Sequence, residues 1–310
     1  MIQFGNMILQ WYTKYKRDLP WRTKPINPYG VVISEFMLQQ TQVPRVIEKF
    51  HEFMRLFPTI TDLAHASKSD IIRAWSGLGY NRRALLLHKF AQEVCEKYDG
   101  IIPQLSKELI ALSGIGPYTA GSIASFAFNK SEPAIDVNVR RIYMRYFHGR
   151  DQGAPMGKKQ EKELYDLVKK TIPNQKSCDF HNALMDFGSL LCRRKKPLCP
   201  QCPLTKSCTF YPLYDKKKDN VLHIVKKKQE KGVIENGKHV PNRIFRGRIV
   251  EFVRNNDGKA FTITTLGKVI KKDYSVKERL WVMMLVQNLE RDGLIHITKK
   301  DAKLQLRLQN

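Results

Sequence analysis

LSGIGPYTAGSIASFAFNKSEPAID, residues Leu112 to Asp136, reads as the end of one helix, a glycine turn, a second helix and a loop that closes on a carboxylate. Gly114 and Gly116 permit a tight turn, and Pro117 suits the first position of the next helix. Backbone N–H groups at such a turn, backed by the positive end of a helix dipole, suit a phosphate rather than any particular base. Asp136 stands in Pro133-Ala134-Ile135-Asp136, directly ahead of an amphipathic run through Val139, Ile142, Tyr143 and Tyr146. Taken alone, that aspartate reads first as a helix N-cap.

The rest of the composition narrows the partner. The chain has 310 residues, 42% of them hydrophobic, which predicts about two globular domains with an ample core. Its 54 Lys and Arg against 29 Asp and Glu leave a formal charge of +25, which favours a polyanion, with nucleic acid ahead of an acidic membrane. No apolar run is long enough to span a bilayer and the N-terminus lacks a signal-peptide pattern, so a cytoplasmic or nucleoid location, no membrane partner and a monomer are expected.

Upstream, a helix over Met7 to Tyr15 precedes Asn27-Pro28-Tyr29, which opens a helix carrying SEFMLQQTQV, Ser34 to Val43. Val32, Ile33, Phe36 and Met37 wrap most of that helix, so Glu35 lies beside buried surface and its pKa should rise. The plain alternative is a glutamate on the polar edge, paired with an arginine. Apolar residues from Val46 to Phe57 keep a helical period up to Pro58, and Ser67 with Asp70 forms a capping box for a helix through Trp75. Gly77-Leu78-Gly79-Tyr80-Asn81-Arg82-Arg83 then breaks the pattern as a loop that either wedges into a duplex or plugs itself with an aromatic ring.

Four of the six cysteines, Cys192, Cys199, Cys202 and Cys208, fall in a C-x6-C-x2-C-x5-C spacing that admits a zinc ion or a cubane cluster. Arg193 and Arg194, with Lys195 and Lys196, sit between the first two. Residues 212–241 turn basic and poor in aromatics, as a linker or a short hairpin with a linker. Helices near Ile244 to Arg254, Leu266 to Lys271 and Lys277 to Arg291, then an alternating tail, predict a winged-helix-like module, with the last helix as candidate recognition helix; a packing or dimerisation module is the alternative.

These motifs, from Leu19 to Cys208, occur in the order of the helix-hairpin-helix, iron-sulfur DNA glycosylases of the endonuclease III superfamily, and SEFMLQQTQV with GLGY resembles its adenine-excising MutY-type members. The resemblance implies a mainly α, two-lobed glycosylase core over 1–211 with a [4Fe-4S] loop at 192–208, a basic linker over 212–241 and the small module over 242–310. It implies a monofunctional enzyme of base excision repair, acting on double-stranded DNA with a mismatched or damaged pair and removing adenine opposite guanine or 8-oxoguanine. Glu35 is then the general acid and Asp136 the carboxylate that stabilises the sugar cation. Tyr118 stands where lyase relatives carry a nucleophilic Lys. Gln40, Thr41, Leu78 and Tyr80 are expected to fill the gap left by the extruded base, Gly114 and Gly116 to grip phosphate, Arg193 and Arg194 to contact the backbone, and the four cysteines to hold the cluster. Asn81 departs from a second Tyr common in that group, and the tail is too short and too helical for the Nudix-like domain many members carry. The alternatives are a thymine or uracil mismatch glycosylase and a non-catalytic iron-sulfur DNA-binding protein.

Overall fold

A computed structural model describes residues 2–151, 156–217, 229–300 and 303–310. In chain order come α1 (Ile2–Tyr15), α2 (Pro28–Leu38), α3 (Val43–Leu56), α4 (Ile60–His65), α5 (Lys68–Ala74), α6 (Arg82–Tyr98) and α7 (Ser106–Leu109). They are followed by α8 (Pro117–Phe128), α9 (Val137–His148), α10 (Lys158–Thr171), α11 (Ser177–Leu190) and α12 (Tyr211–Lys217). The C-terminal part holds β1 (Gly232–Glu235), β2 (Lys238–Pro241), α13 (Asn242–Asn255), β3 (Ala260–Phe261), α14 (Ile263–Ile270), α15 (Arg279–Arg291), β4 (Ile295–Lys300) and β5 (Lys303–Leu308).

Contacts divide the chain into two compact units: Met1–Glu35 with Ile102–Lys227, and Phe36–Ile101 with Lys228–Asn310. This division cuts across the 1–211, 212–241 and 242–310 organisation. Ile72 of α5 belongs to the same apolar core as Phe245, Ile249, Leu266, Val286 and Leu306, so residues 242–310 are built onto residues 36–101. Within 212–241, α12 and the β1–β2 hairpin occupy the two ends, and residues 218–228 lie outside the described ones.

In the first unit, Phe4, Ile8, Trp11 and Tyr12 of α1 face Val139, Ile142 and Tyr143 of α9 and Phe180, Leu184 and Phe187 of α11. These side chains recur at three- and four-residue intervals, the stripe an amphipathic helix buries. Buried Asp186 of α11 accepts from Arg17 Nε at 2.7 Å and Arg22 Nη1 at 2.9 Å, tying the chain after α1 to the core. α7 leads into a turn in which Gly114 has φ +79, a conformation that only glycine adopts freely, and Gly116 precedes Pro117 at the start of α8.

In the second unit, Val46, Phe50 and Phe53 form the buried stripe of α3, and Ser67 caps α5 by accepting from Asp70 N–H at 3.1 Å. Among the C-terminal elements, β3, between α13 and α14, joins the terminal hairpin in an antiparallel sheet of order β3-β5-β4, with Phe261 opposite Leu304 and Ile297 opposite Leu306. The sequence helix, strand, two helices and a hairpin is that of a winged helix. Its third helix, α15, presents Leu280 at 84% and Met284 at 43% exposure beside exposed Arg279, Gln287 and Arg291, a mixed apolar and basic face.

Candidate active site

Two elements of the first unit bring the carboxylates together. Asn27 starts α2 by accepting, through Oδ1, the N–H groups of Tyr29 at 3.0 Å and Gly30 at 3.2 Å. Because Val31, Val32, Ile33, Phe36 and Met37 are all buried, α2 is an interior helix and Glu35 is only 7% exposed. Burial pushes its carboxyl up to about 7, while hydrogen bonds from Ser122 and Tyr118 pull it back, the Asp136 charge raises it and Arg22 lowers it. The Ser122 hydroxyl, on α8, donates to Glu35 Oε2 at 2.7 Å.

Asp136 is the N-cap of α9. Its Oδ1 accepts the N–H groups of Asn138 and Val139, both at 2.8 Å, and its Oδ2 accepts from Asn138 Nδ2 at 2.7 Å. Burial raises this carboxyl, and the donors of Val139 and Asn138 and the Arg141 charge oppose the rise. The cap thus holds the carboxylate in place through three donors beside the Glu35 site. The Tyr118 phenol is held well above its usual range, by burial first and by the Glu35 and Asp136 charges next, so it stays a neutral hydrogen-bonding group. Gly121 lets α8 pass under the loop, since a Cβ there would meet the Pro133 carbonyl oxygen at 2.3 Å.

A chain of contacts runs on from Asp136. Asn138 Oδ1 accepts from Arg141 Nη2 at 2.8 Å, and Arg141 Nε donates to the Cys192 carbonyl at 2.7 Å. One turn later Arg145, 2% exposed, pairs with Asp151 at 2.8 Å and donates to the carbonyls of Arg193 at 2.8 Å and Arg194 at 3.2 Å. Its Nη1 also points at Cys192 Sγ, 3.6 Å away. Cys192, Cys199, Cys202 and Cys208 line one cavity with apolar walls from Ile142, Phe187 and Phe210, while Arg193 and Arg194 are exposed above it. Burial pushes the Cys199 thiol up to about 11 and the Cys202 thiol up to about 12. Among the described residues no group of three or more His, Cys, Asp or Glu side chains is placed to hold a single metal ion.

In the second unit the glycine loop differs from an exposed leucine wedge. Gly77 (φ +81) and Gly79 (φ +69) turn Leu78 inward, leaving it 4% exposed, and Tyr80 (φ +47) carries the outward surface at 38%. Thr41 braces the loop rather than standing open: its hydroxyl donates to the Leu78 carbonyl at 3.1 Å and accepts from Arg83 Nη2 at 2.9 Å. Arg83 also donates to the carbonyls of Phe36 and Met37 at 2.8 Å, of Leu78 at 3.0 Å and of Gly79 at 2.9 Å, so one buried guanidinium joins the end of α2 to the loop. Gln40 ends that segment at φ +62.

Ser122, Asn138, Arg141, Arg145 and Arg83 were not anticipated. The signal for the arginines of α9 lay in the sequence: Arg141 and Arg145 are four apart among Ile142, Tyr143 and Met144, inside a stripe that otherwise buries apolar groups.

A family model described as HhH-GPD superfamily base excision DNA repair protein matches residues 33–170. An adenine DNA glycosylase of Mycobacterium tuberculosis (strain CDC 1551 / Oshkosh) is 39% identical over 200 residues, covering 64% of this chain and 64% of that protein. One of Buchnera aphidicola subsp. Acyrthosiphon pisum is 40% identical over 206 residues, 66% of this chain and 58% of its own length. The chain thus spans less than two-thirds of the length of these curated relatives. Among solved structures, a thermostable thymine-DNA glycosylase is 30% identical with a TM-score of 0.62, covering 68% of this chain and 96% of that one. A trapped endonuclease III–DNA covalent intermediate, 22% identical with a TM-score of 0.58 over 69% of this chain and 97% of that one, shares the fold. The hairpin, the carboxylate loop and these likenesses together make the chain a member of the HhH-GPD superfamily of base excision DNA repair proteins.

Proposed function

We propose that the chain is a monofunctional DNA glycosylase that hydrolyses the N-glycosidic bond of adenine mispaired with guanine or 8-oxoguanine in double-stranded DNA. The observation that carries this reading is the Glu35 site: a carboxyl pushed up to about 7, with Tyr118 rather than an amine beside it and Asp136 as the second charge. Glu35 delivers its proton to a ring nitrogen of the extruded base, the glycosidic electron pair leaves with the base, and Asp136 stabilises the oxocarbenium-like sugar. Water adds to C1′ and its proton returns to the site. With no amine at position 118 to form a Schiff base, the products are free adenine and an intact abasic strand. The names of the curated relatives favour adenine.

The remaining roles follow from chemistry and exposure. The amides around Gly114 and Gly116 receive a phosphate, exposed Arg193 and Arg194 meet the DNA backbone, and Tyr80 with Gln40 fills the gap, while Leu78 and Thr41 support the loop from inside. Cys192, Cys199, Cys202 and Cys208 would hold a [4Fe-4S] cluster, supported by their common cavity and the Arg145 N–H aimed at Cys192. Such a cluster supplies a rigid, positively flanked loop rather than a reactive group. Among the described residues no helix is long and apolar enough to cross a membrane.

Single-turnover base release from duplexes containing A opposite 8-oxoguanine, A opposite G, T opposite G and U opposite G, with and without alkali, tests the reading. Adenine release with strand breaks only after alkali is expected. Thymine or uracil release would replace the substrate assignment, and strand cleavage without alkali would overturn the monofunctional one.

A further inference from the structure

Helix α11 meets the carboxylate loop at two points, seven residues apart on one face. At the first, His181 Nε2 lies 3.2 Å from the Ala134 amide nitrogen. At the second, Gly188 lets Asn138 approach so closely that a Cβ there would meet the Asn138 Cβ at 2.6 Å, and its carbonyl accepts from Arg141 Nη2 at 2.7 Å. Seven residues are two turns, about 10.5 Å of helix, and the four steps from Ala134 to Asn138 reach at most about 14 Å. Asp136 is the midpoint of that stretch, two residues from each contact.

His181 is fully buried, and so are Ala134, Ser125 and Ser177 around it. Its fixed neighbours decide where its proton stands. The Ala134 N–H can only donate, so Nε2 is a bare acceptor. The Ser177 carbonyl, 2.9 Å from Nδ1, can only accept, so the proton is on Nδ1. Both groups demand the same neutral tautomer, and burial, which holds the imidazole down to about 4, keeps a second proton away. Ser125 of α8 completes the grip: its hydroxyl oxygen is 2.8 Å from Nδ1 and 2.8 Å from Ser177 Oγ. A histidine that only fills a core has no reason to present its single acceptor to a loop amide two residues from a reacting carboxylate.

We propose that His181 is a positioning residue for base release: as the Nδ1–H tautomer it anchors the Ala134 amide and, with the close approach of Gly188 to Asn138, sets the place of the Asp136 carboxylate. Without an acceptor at position 181 the buried Ala134 N–H is orphaned, and the loop must shift to find another partner. The ring has no surface to offer DNA, so its loss bears on the rate and not on affinity. The catalytic part of this inference rests on the glycosylase reading above, and its test separates the two.

The test compares the full chain with its His181→Leu and His181→Gln variants. Leu fills the space without an acceptor, whereas Gln brings an amide oxygen that can take the Ala134 N–H. Single-turnover base release is measured on the duplex that the wild type processes fastest, at a temperature well below the melting point of each protein. Dissociation constants are read on the same duplex carrying an abasic-site analogue. His181→Leu should slow release roughly tenfold or more, the usual scale for removing a group that orients a site residue, with the dissociation constant unchanged, and His181→Gln should recover most of the rate. A core role alone would not let Gln, polar and unbranched, outperform Leu. Because His181→Leu can fail to fold, nitrogen NMR of labelled histidine reads the wild type directly and should show Nδ1 protonated and Nε2 bare. A wild-type rate in His181→Leu, equal losses in both variants, or a proton on Nε2 overturns the inference. A wild type that releases no base from any duplex overturns the catalytic reading instead, and the tautomer with the amide resonance of Ala134 in the two variants then decides the anchor by itself.

Discussion

The Ser122 hydroxyl donates to Glu35 Oε2 across 2.7 Å, inside surroundings that have pushed that carboxyl up to about 7. The bond favours the ionised form, so it trims the effect of burial. A general acid must be protonated to act, and base release should therefore fall as pH rises through about 7. Ser122→Ala removes the restraint and should carry this alkaline limb to higher pH, read from single-turnover rates across pH 5 to 9. A limb that stays in place or moves toward acid would sink the assignment of Glu35 as the acid.

The same burial has a consequence for stability. The folded-state pKa of Glu35 lies above its ordinary value of 4.5, so the folded protein favours the protonated carboxyl. Below pH 4.5 both states hold the proton and nothing is lost; through the window up to about 7 stability drains away, and above it the cost levels at about 3 kcal/mol. Glu35→Gln cannot ionise and should abolish catalysis while raising the melting temperature at pH 8 but not at pH 4.5. An equal shift at both pH values would mean that ionisation is not its origin.

Asp136 has two duties that substitution can separate. Asn keeps an oxygen for the N–H groups of Asn138 and Val139, so Asp136→Asn should melt close to wild type while base release drops roughly a hundredfold or more. Asp136→Ala should lose about 1 kcal/mol of stability as well. DNA binding retained by Asp136→Asn, with turnover gone, is the informative result; retained turnover would reduce the residue to a cap.

Asn138 stands between Asp136 and Arg141, which in turn holds the Cys192 carbonyl. Asn138→Ala should slow base release roughly tenfold or more, the usual effect of losing a group that orients a site residue, with DNA affinity and iron content unchanged. Arg141→Met should lower both the rate and the retention of iron. Elemental analysis beside single-turnover kinetics separates the two variants.

Gly121→Ala tests how tightly α8 supports the carboxylate loop. The added methyl group would fall 2.3 Å from the Pro133 oxygen, a backbone atom that cannot swing aside. A loss of about 1–3 kcal/mol is expected from overpacking, with a drop in base release larger than the loss of folded protein explains. A variant that melts and turns over as wild type would show that the loop yields freely.

The helices, the glycine turn and the two carboxylates were legible because each rests on local physics. Asn27-Pro28 is a helix start, the apolar ring around Glu35 is a burial pattern, and Pro117 after two glycines is a turn with a helix behind it. The winged-helix order also followed from periodicity and a terminal alternation. What stayed out of reach depends on contacts between distant segments. Nothing in the period of α5 says that Ile72 completes a core with α13 and β5, or that Arg254 donates to the Ile72 carbonyl at 2.6 Å. Leu78 illustrates the other limit: glycine-flanked leucine fits a wedge, but the carbonyls on both sides of Gly79 are gathered in by Arg83, and its side chain turns inside with them.

The Arg73–Asp257 ion pair closes a loop of 184 residues, and Ile72 waits as long for its apolar neighbours. Synthesis from the ribosome proceeds in the opposite sense to this architecture. Residues 36–101 emerge early, but the segment that seals them, Lys228–Asn310, emerges only after residues 102–227. The first unit has all its helices in hand once Lys227 is made, whereas the second must hold an unfinished apolar surface through the translation of 126 intervening residues, 102–227. High contact order of this kind slows folding and exposes sticky intermediates, so a nascent chain stalled before α13 should be a client for chaperones, and a chain released whole should not.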